Sequence, residues 1–418
     1  MVVLGVVVFA AASALCGLTP KGSLAEAWIV AFRVLQGAGG AIMYSAALAI
    51  VVNTFPLHER GRALALFFGI AGGLTAIGPI LGGYLTEWTW RAIFWVNIPV
   101  ALMALVLIVI SKPTTAHQPA RMDYRGLVLI GSGVALSVFG FQQSSTWGWS
   151  SPRTGLCVAA GLLLLVVFYF VENIVLAIAM LAFVPVFFFA SEYAQISLGK
   201  SASQASLVLL YFFLGFATAA QIGGRMLDRA GAKRPVVLGC AVGAVGFALW
   251  GGQVTALSFG SQVWCIILSG AGLGLMLGPA STDAVNRASR LSYGEATGIT
   301  QTVRNYSSSL GLAILGTILV SVMRSRITTS LTAQGVPSGQ AAREASAISQ
   351  ASQGGGSGST SSIPHFIQLD FAYATRSVLY VMAAVMATAA VVALVGLRPG
   401  VQVDTEVGQV RPAMEGSA

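Results

Sequence analysis

Residues 69–99 read GIAGGLTAIGPILGGYLTEWTWRAIFWVNIP, and this stretch decides what kind of helix the chain can form. It places repeated glycines and a Gly78-Pro79 step in an apolar background. In a soluble helix each glycine costs up to about 1 kcal/mol relative to alanine, and an internal proline about 3 kcal/mol. In lipid, small residues let helices approach closely, and neighbouring helices satisfy the backbone groups that a kink frees. The stretch therefore predicts a membrane helix that packs closely and bends.

The composition of the whole chain indicates a membrane protein. Of the 418 residues, 56% are hydrophobic and 9% are charged, and the mean hydropathy is +0.80. A soluble protein carries about 25% charged residues. We therefore expect an all-α polytopic membrane protein whose partner is the lipid bilayer. The net charge of +9 is expected in cytoplasmic loops, so nucleic acid is not an expected partner.

Hydropathy predicts about twelve transmembrane helices, because a spanning helix needs about 20 apolar residues. The weakest boundary is at residues 172–173, since 155–191 could also form one long helix. The predicted spans are 1–18, 27–53, 62–86, 91–111, 125–144, 155–171, 174–191, 204–226, 235–252, 261–283, 294–323 and 375–397.

The charges of the loops predict the orientation. With both termini in the cytoplasm, the short outer loops hold only Lys21, Arg91, Arg153 and Lys200, and the inner loops and tail hold most other basic residues. This asymmetry follows the positive-inside rule. Merging 155–191 into one helix would place the basic cluster around 225–234 outside, so we keep two spans. The expected location is the plasma membrane, with many passes.

Two arginines lie several residues inside predicted spans, away from the span ends. Arg33 falls in the second span, with Gln36 three residues later on the same helix face, and Arg304 falls in the eleventh, after Gln301. A mid-membrane arginine costs roughly 2.5–3.5 kcal/mol on insertion scales, so it marks a functional site by default. The alternative for Arg33 is a side chain that reaches back to the lipid headgroups.

A polar cluster ends the seventh span at the predicted outer surface. It consists of Glu192, Tyr193 and Gln195. These residues line a cavity mouth or form an interface belt, and the sequence does not decide between the two. With Gln36 and Gln301 they are the candidate substrate-cavity residues.

A basic segment from Gly224 to Arg234 predicts a short cytoplasmic loop between two spans. Gly231 supplies a turn, and Asp228 is expected to cap the following helix or to pair with a neighbouring basic residue such as Arg229. The alternative is that the basic residues only set the topology, which leaves the acid among them unexplained.

The chain shows no motif for covalent chemistry. Its three histidines, His58, His117 and His365, fall in predicted loops without metal-ligand spacing, and no phosphate-binding lysine loop is present. We therefore expect no enzyme activity, no cofactor and no metal.

These motifs together resemble the major facilitator superfamily, in particular its fourteen-span drug/proton antiporters of the quaternary-ammonium or multidrug efflux type. Arg33 with Gln36 is similar to the motif of the fourth span, and residues 69–83 to the antiporter motif of the fifth. Residues 90–99 are similar to the start of the sixth span, and 224–234 to a cytoplasmic loop motif. The resemblance also covers Arg304 and extends over most of residues 26–320.

The resemblance implies proton-coupled export of small lipophilic or cationic compounds by a monomer, through alternating access, with antibiotic resistance as an outcome. It assigns proton coupling to Arg33 and Arg304. It assigns helix packing to Gly69, Gly78, Pro79, Gly82 and Gly83, and cytoplasmic gating to Gly224, Asp228, Arg229 and Gly231.

The family register also places Met1 at the third span, so that the first two spans and the carboxylate expected in the first are absent. The alternatives are an importer of a metabolite, a truncated remnant that does not transport, and a membrane-embedded enzyme. The expected divisions of the chain are 1–111 (remainder of the N-terminal bundle, family spans three to six), 112–191 (two linker spans and the start of the C-terminal bundle), 192–323 (C-terminal bundle), 324–374 (extracytoplasmic flexible loop with an amphipathic piece around 338–350), 375–397 (last span) and 398–418 (disordered cytoplasmic tail).

Overall fold

This computed structural model describes residues 1–54, 81–111, 124–148, 151–166, 174–286, 293–353 and 364–397, with 67 and 78 as isolated positions. These residues form helices and no strand, and residues 81–88 are helical too. The numbered helices are α1 (Val2–Gly17), α2 (Ala25–Thr54), α3 (Ala92–Trp95), α4 (Asn97–Ser111), α5 (Tyr124–Trp147), α6 (Pro152–Val166), α7 (Ile174–Ile196), α8 (Ala202–Ala230), α9 (Lys233–Gln253), α10 (Phe259–Asn286), α11 (Tyr293–Ala333), α12 (Ser338–Gln353) and α13 (His365–Gly396).

Eight described segments are long and apolar enough to cross a membrane, and α1 is a shorter apolar helix. The prediction of an all-α polytopic membrane fold is therefore confirmed. The predicted span 91–111 differs in detail, because the chain turns at Val96 between α3 and α4. Pro99 has no N–H to donate to the carbonyl of Trp95, so an unbroken helix would lack a hydrogen bond at this point.

Hydrogen bonds between distant residues show which helix ends lie together. They join Arg91 Nη2 to Thr19 O, Ser203 Oγ to Glu87 Oε1, Tyr193 Oη to Val254 O, and Ser197 Oγ to Gln368 O. We call this end of the molecule the α7–α8 end. The opposite end, which carries residues 231–232 between α8 and α9, is called the α8–α9 end. It carries the basic cluster Arg225, Arg229, Lys233 and Arg234.

The packing on α11 supports two separate helices within 155–191. Ser144, close to the α5–α6 loop, lies 3.5 Å from Thr317 on α11. A Cβ on Gly311 would meet the Leu181 backbone of α7. Residues 311 and 317 are only about 9 Å apart along α11. A single helix would separate the start of α6 from Leu181 by about 40 Å, which does not fit these contacts.

The region predicted as a flexible loop, 324–374, contains helices in its described parts, and that prediction is wrong there. The helix α11 continues to Ala333, α12 covers the expected amphipathic segment, and α13 begins at His365. The helix α11 has 41 residues, which is about 60 Å against a hydrocarbon core of about 30 Å. Hydropathy marks only the part of a helix in lipid, so polar helical turns beyond the bilayer escaped it.

Glycines hold the helices α8, α9 and α10 at backbone contact. Gly270 and Gly274 of α10 lie against carbonyl groups of α8, and Gly272 lies against Gly239 and Gly243 of α9. A Cβ on Gly272 would stand 2.7 Å from the Gly239 carbonyl oxygen, closer than such atoms approach. The small residues therefore place α10 between its two neighbours, as expected for helices that associate in lipid by close packing.

Candidate functional site

A buried serine joins α1 to three other N-terminal helices. Ser13 of α1 is fully buried, and its hydroxyl donates to the Phe94 carbonyl of α3 at 2.9 Å. The same oxygen accepts from Gln36 Nε2 of α2 at 2.9 Å and from Asn97 Nδ2 of α4 at 3.0 Å. A hydroxyl has one proton and two lone pairs. The hydrogen-bonding capacity of Ser13 is therefore fully used, and the junction has one arrangement.

The serine also fixes the orientation of the Gln36 amide beside Arg33. Because Gln36 donates through Nε2 to Ser13, its Oε1 faces the other way and accepts from Arg33 Nη1 at 3.3 Å. The Arg33 guanidinium lies 4.7 Å from the centre of the Phe94 ring, a cation–π distance. The side chain thus reaches toward residue 36, away from the near end of α2. This geometry differs from the alternative, in which the Arg33 side chain reaches back to the lipid headgroups.

A cavity of about 280 Å³ adjoins this junction. Arg33 lies eight positions after the first residue of α2, about 12 Å along the helix, which is within bilayer depth for a helix that crosses from end to end. The cavity lining is Phe9, Arg33, Gln36, Gly37, Gly40 and Asn97. A Cβ on Gly37 would meet nothing within 4 Å, so this wall is open.

One face of α2 connects the cavity to Arg304, the second predicted coupling residue. Arg33, Gly37, Gly40 and Tyr44 follow the spacing i, i+4, i+7 and i+11, which is a single helix face. Tyr44 interacts electrostatically with Arg304 where α2 contacts α11. The two arginines therefore lie on one path but not together, since residues 33 and 44 are about 16 Å apart. Gln301 is half-buried one turn before Arg304.

Among the described glycines of the predicted packing motif, Gly83 makes a close contact with another helix. A Cβ on Gly83 would collide with the Ser206 side chain of α8 and stand 2.8 Å from the Ala202 carbonyl. Gly78 and Gly82 have no atom within 4 Å of such a Cβ. Gly69 and Pro79 lie outside the described residues.

Glu87 adds a polar contact beside Gly83. Its Oε1 accepts from the backbone N–H of Ser203 at 3.2 Å and from the Ser203 hydroxyl at 2.5 Å, at the start of α8. The hydrogen bonds from Ser203, with that from Ser201, lower the pKa of the Glu87 carboxyl below its usual value. Glu87 follows the predicted span 62–86, so this contact closes the α7–α8 end beside the membrane region.

The three polar residues at the end of α7 have two different kinds of surroundings. Tyr193 is 1% exposed; its hydroxyl donates to the Val254 carbonyl and accepts from Gln262 Nε2, both at 2.8 Å. Tyr193 therefore fastens α7 to Val254, which follows α9, and to α10, so the fold takes up its hydroxyl and the role in a substrate cavity stays a prediction. Glu192 and Gln195 are half-buried, and Gln195 donates to Ser191.

The predicted loop 224–234 is largely helical, which corrects that expectation. The helix α8 continues through Gly224, Asp228 and Arg229 to Ala230, and α9 begins at Lys233. Only the turn predicted at Gly231 is present, with φ +76°. The N-cap of α9 is Ala232, without a side-chain cap; the side chain of Asp228 lies outside the described part of the structure, so its capping role stays a prediction.

Ser13 was not predicted as a functional residue, and Asn97 was not assigned to the site. Ser13 stands in an alanine-rich apolar run, and its partner Asn97 is 84 residues away. No local spacing pairs them. The only available signal was a polar residue inside a predicted span, which Ser13 and Asn97 share. No group of three or more potential metal ligands occurs within the described ranges.

These helices define a polytopic all-α membrane protein. The chain belongs to the Major Facilitator Superfamily, which its residues 1–312 match.

Several export proteins are similar in sequence. The chain is 31% identical over 347 residues to the tetracenomycin C resistance and export protein of Streptomyces glaucescens, covering 76% of this chain and 63% of that protein. It is 28% identical over 346 residues to a cephamycin export protein of Amycolatopsis lactamdurans, with 75% and 70% covered. The chain thus spans less than two thirds of the length of the first of these relatives.

Solved structures share the fold. A bacterial homologue of the human lysosomal transporter Spinster, inward-facing and unoccupied, matches with a TM-score of 0.54 and 16% identity over 94% of this chain and 81% of that chain. An auto-inhibited peptide transporter of the POT family matches with a TM-score of 0.50 and 16% identity, over 99% and 84%. At these identities the similarity shows the fold alone.

Proposed function

We propose that the protein is a proton-coupled exporter of small lipophilic or cationic compounds in the plasma membrane, of the fourteen-span type, with cytoplasmic termini and no enzyme activity. The observation that carries the proposal is Arg33, a cation beside a cavity within the depth of α2. Intramembrane arginines that face cavities mark substrate or ion pathways. The names of the relatives, which are export and resistance proteins, support the direction of transport.

Alternating access requires contacts at both ends of the cavity that break in turn. Gly83 and Glu87 contact α8 at the α7–α8 end. Further toward the α8–α9 end, α2 contacts α11, and Tyr44 and Arg304 lie within electrostatic range of each other. We assign the first contact to the gate on one side of the membrane and the second to the gate on the other. Opening either one would expose the cavity to that side.

Arg33 acts on the coupling without carrying the proton itself. A guanidinium stays charged in proteins, so Arg33 influences protons through its field on acids and on cargo that enter the cavity. Glu192 on α7 is a half-buried acid in the C-terminal helices and is our candidate proton carrier. Gly224, Asp228, Arg229 and Gly231 remain candidates for gating at the cytoplasmic surface, and a monomer remains the proposed state.

The test is transport in proteoliposomes that contain the full chain, with ethidium as a lipophilic cation and an imposed pH gradient. We expect ethidium to move against proton flow and the Arg33→Ala variant to lose at least about 90% of this flux. Lys21→Ala, in the exposed α1–α2 loop, is the control for loss of one positive charge. Undiminished flux with Arg33→Ala at equal insertion would remove Arg33 from the mechanism, and flux in the direction of the protons would replace export by import.

A further inference from the structure

The charge of Arg33 has no acidic partner among the residues that the structure describes. Of its five N–H groups, one is seen to donate, to Gln36, and one face of the guanidinium covers Phe94. Charged groups at membrane depth normally pair with an opposite charge or face water. The Arg33 side chain is exposed and lines the cavity, so its charge is available to a negative ligand that enters.

The groups around Arg33 hold it in place before anything binds. Ser13 fixes the Gln36 amide with its oxygen on Arg33. The Asn97 amide nitrogen donates to Ser13 and to the Ile93 carbonyl, so the N–H groups for an anion come from the guanidinium. A donor that is already fixed needs no reordering when a ligand binds, which raises affinity.

The remaining walls are apolar and flat. Phe9 contributes a ring, and Gly37 and Gly40 contribute backbone without side chains. A planar ring fits against such a surface. The volume of about 280 Å³ is just below the range of roughly 300–1,000 Å³ of pockets that enclose drug-sized ligands, so it suits one aromatic ring with its acidic group.

We infer that this cavity binds an aromatic carboxylate, with the carboxylate on the Arg33 guanidinium and the ring on the open Gly37 backbone of α2, beside the Phe9 ring that covers Gly40. A guanidinium and a carboxylate match each other in a two-bond arrangement. This inference deepens the proposed function. The binding site itself does not depend on that proposal, but the statement that the bound acid is transported rests on it. A lipophilic cation is repelled here and must engage another part of the molecule.

The test is equilibrium binding of radiolabelled benzoate to the purified full chain in nanodiscs, without a gradient. Benzyltrimethylammonium is the cationic probe with the same ring. We expect benzoate to bind and benzyltrimethylammonium not to compete. Arg33→Gln should weaken benzoate binding about tenfold to a hundredfold, as expected for a charged hydrogen bond, and Lys21→Gln should leave it unchanged.

A second variant separates binding from folding. Gly37→Leu adds volume to the cavity at a position where a Cβ meets nothing, and leucine suits a helix better than glycine. It should fold normally and still lose benzoate binding. Benzoate affinity that is unchanged in both Arg33→Gln and Gly37→Leu, or equal competition by the cation, would overturn the inference.

The outcomes also separate this inference from the proposed function. Benzoate binding that depends on Arg33, in a protein that moves neither benzoate nor ethidium, would uphold the binding site and reject the exporter. Proton-driven ethidium flux without any benzoate binding would do the reverse.

Discussion

The N-terminal and C-terminal helices are held together in different ways. In the spans Ala25–Ala47 and Ala92–Ser111 only 11% of the residues of the most apolar window are buried, against 39–56% in the six spans from Val175 onward. Helices α8, α9 and α10 meet at backbone contact through glycines, as α1 and α2 do through Gly5 and Gly39, and a buried serine also joins α1 to α2, α3 and α4. Lipid gives helices no hydrophobic reason to associate, so packing and hydrogen bonds carry the association. The comparison indicates that packing on several sides holds the C-terminal helices, whereas the N-terminal helices depend more on the hydrogen bonds of one hydroxyl.

The largest effect is expected where the packing is closest. Gly272→Ala places a Cβ against Gly239 and Gly243, and α9 and α10 must separate to accept it. Overpacking of this kind costs about 1–3 kcal/mol or more. The measurement is the thermal midpoint of the purified protein in detergent, together with the fraction that elutes as a single species.

Gly278→Ala is the matched control on the same helix. A Cβ at Gly278 would meet nothing within 4 Å, and alanine favours a helix over glycine by up to about 1 kcal/mol. We therefore expect an unchanged or raised midpoint. If both variants lost stability equally, the backbone contact between α9 and α10 would not be what holds the C-terminal helices.

Two buried hydroxyls give an intermediate test, one from each region. Tyr193→Phe removes the bond to the Val254 carbonyl and leaves the Gln262 amide without its acceptor. Buried groups left unpaired cost about 1–3 kcal/mol. We expect a lower free energy of unfolding and unchanged benzoate affinity, because Tyr193 lies far from the Arg33 cavity in the C-terminal helices.

Ser13→Ala should combine a similar loss of stability with a loss of binding. It releases the amides of Gln36 and Asn97, and Gln36 is only 5% exposed, so the groups left unpaired cost about 1–3 kcal/mol. Arg33 also loses the support of Gln36, and we expect benzoate affinity to fall about tenfold, as for the loss of one charged hydrogen bond. Unchanged benzoate affinity with Ser13→Ala, or the same loss of affinity with Tyr193→Phe, would remove the contrast between the regions.

The contrast between the two regions also explains which residues of the site could be predicted from the sequence. The pair Arg33 and Gln36 was predictable because a spacing of three places two residues on one helix face, and the observed bond joins them. Ser13 was not predictable because its partners come from other helices. Tyr193 looked like a cavity residue from its place at a helix end, and only the fold shows that Val254 and Gln262 take up its hydroxyl.

The smallest effect is expected at the contact between the two regions, Glu87 with Ser203. The pKa of Glu87 is lowered by this contact, so the ionised form stabilises it. That contribution is present above the ordinary pKa of a glutamate and is lost as the pH falls through the lowered value. Glu87→Gln should therefore lower the thermal midpoint slightly at pH 7, and the difference from the unaltered protein should disappear as the pH falls below the lowered pKa of Glu87. Glu26→Gln, an exposed acid in the first turn of α2, is the control. A difference that persists at low pH, or that Glu26→Gln reproduces, would show that the carboxylate of Glu87 does not join the N-terminal helices to α8.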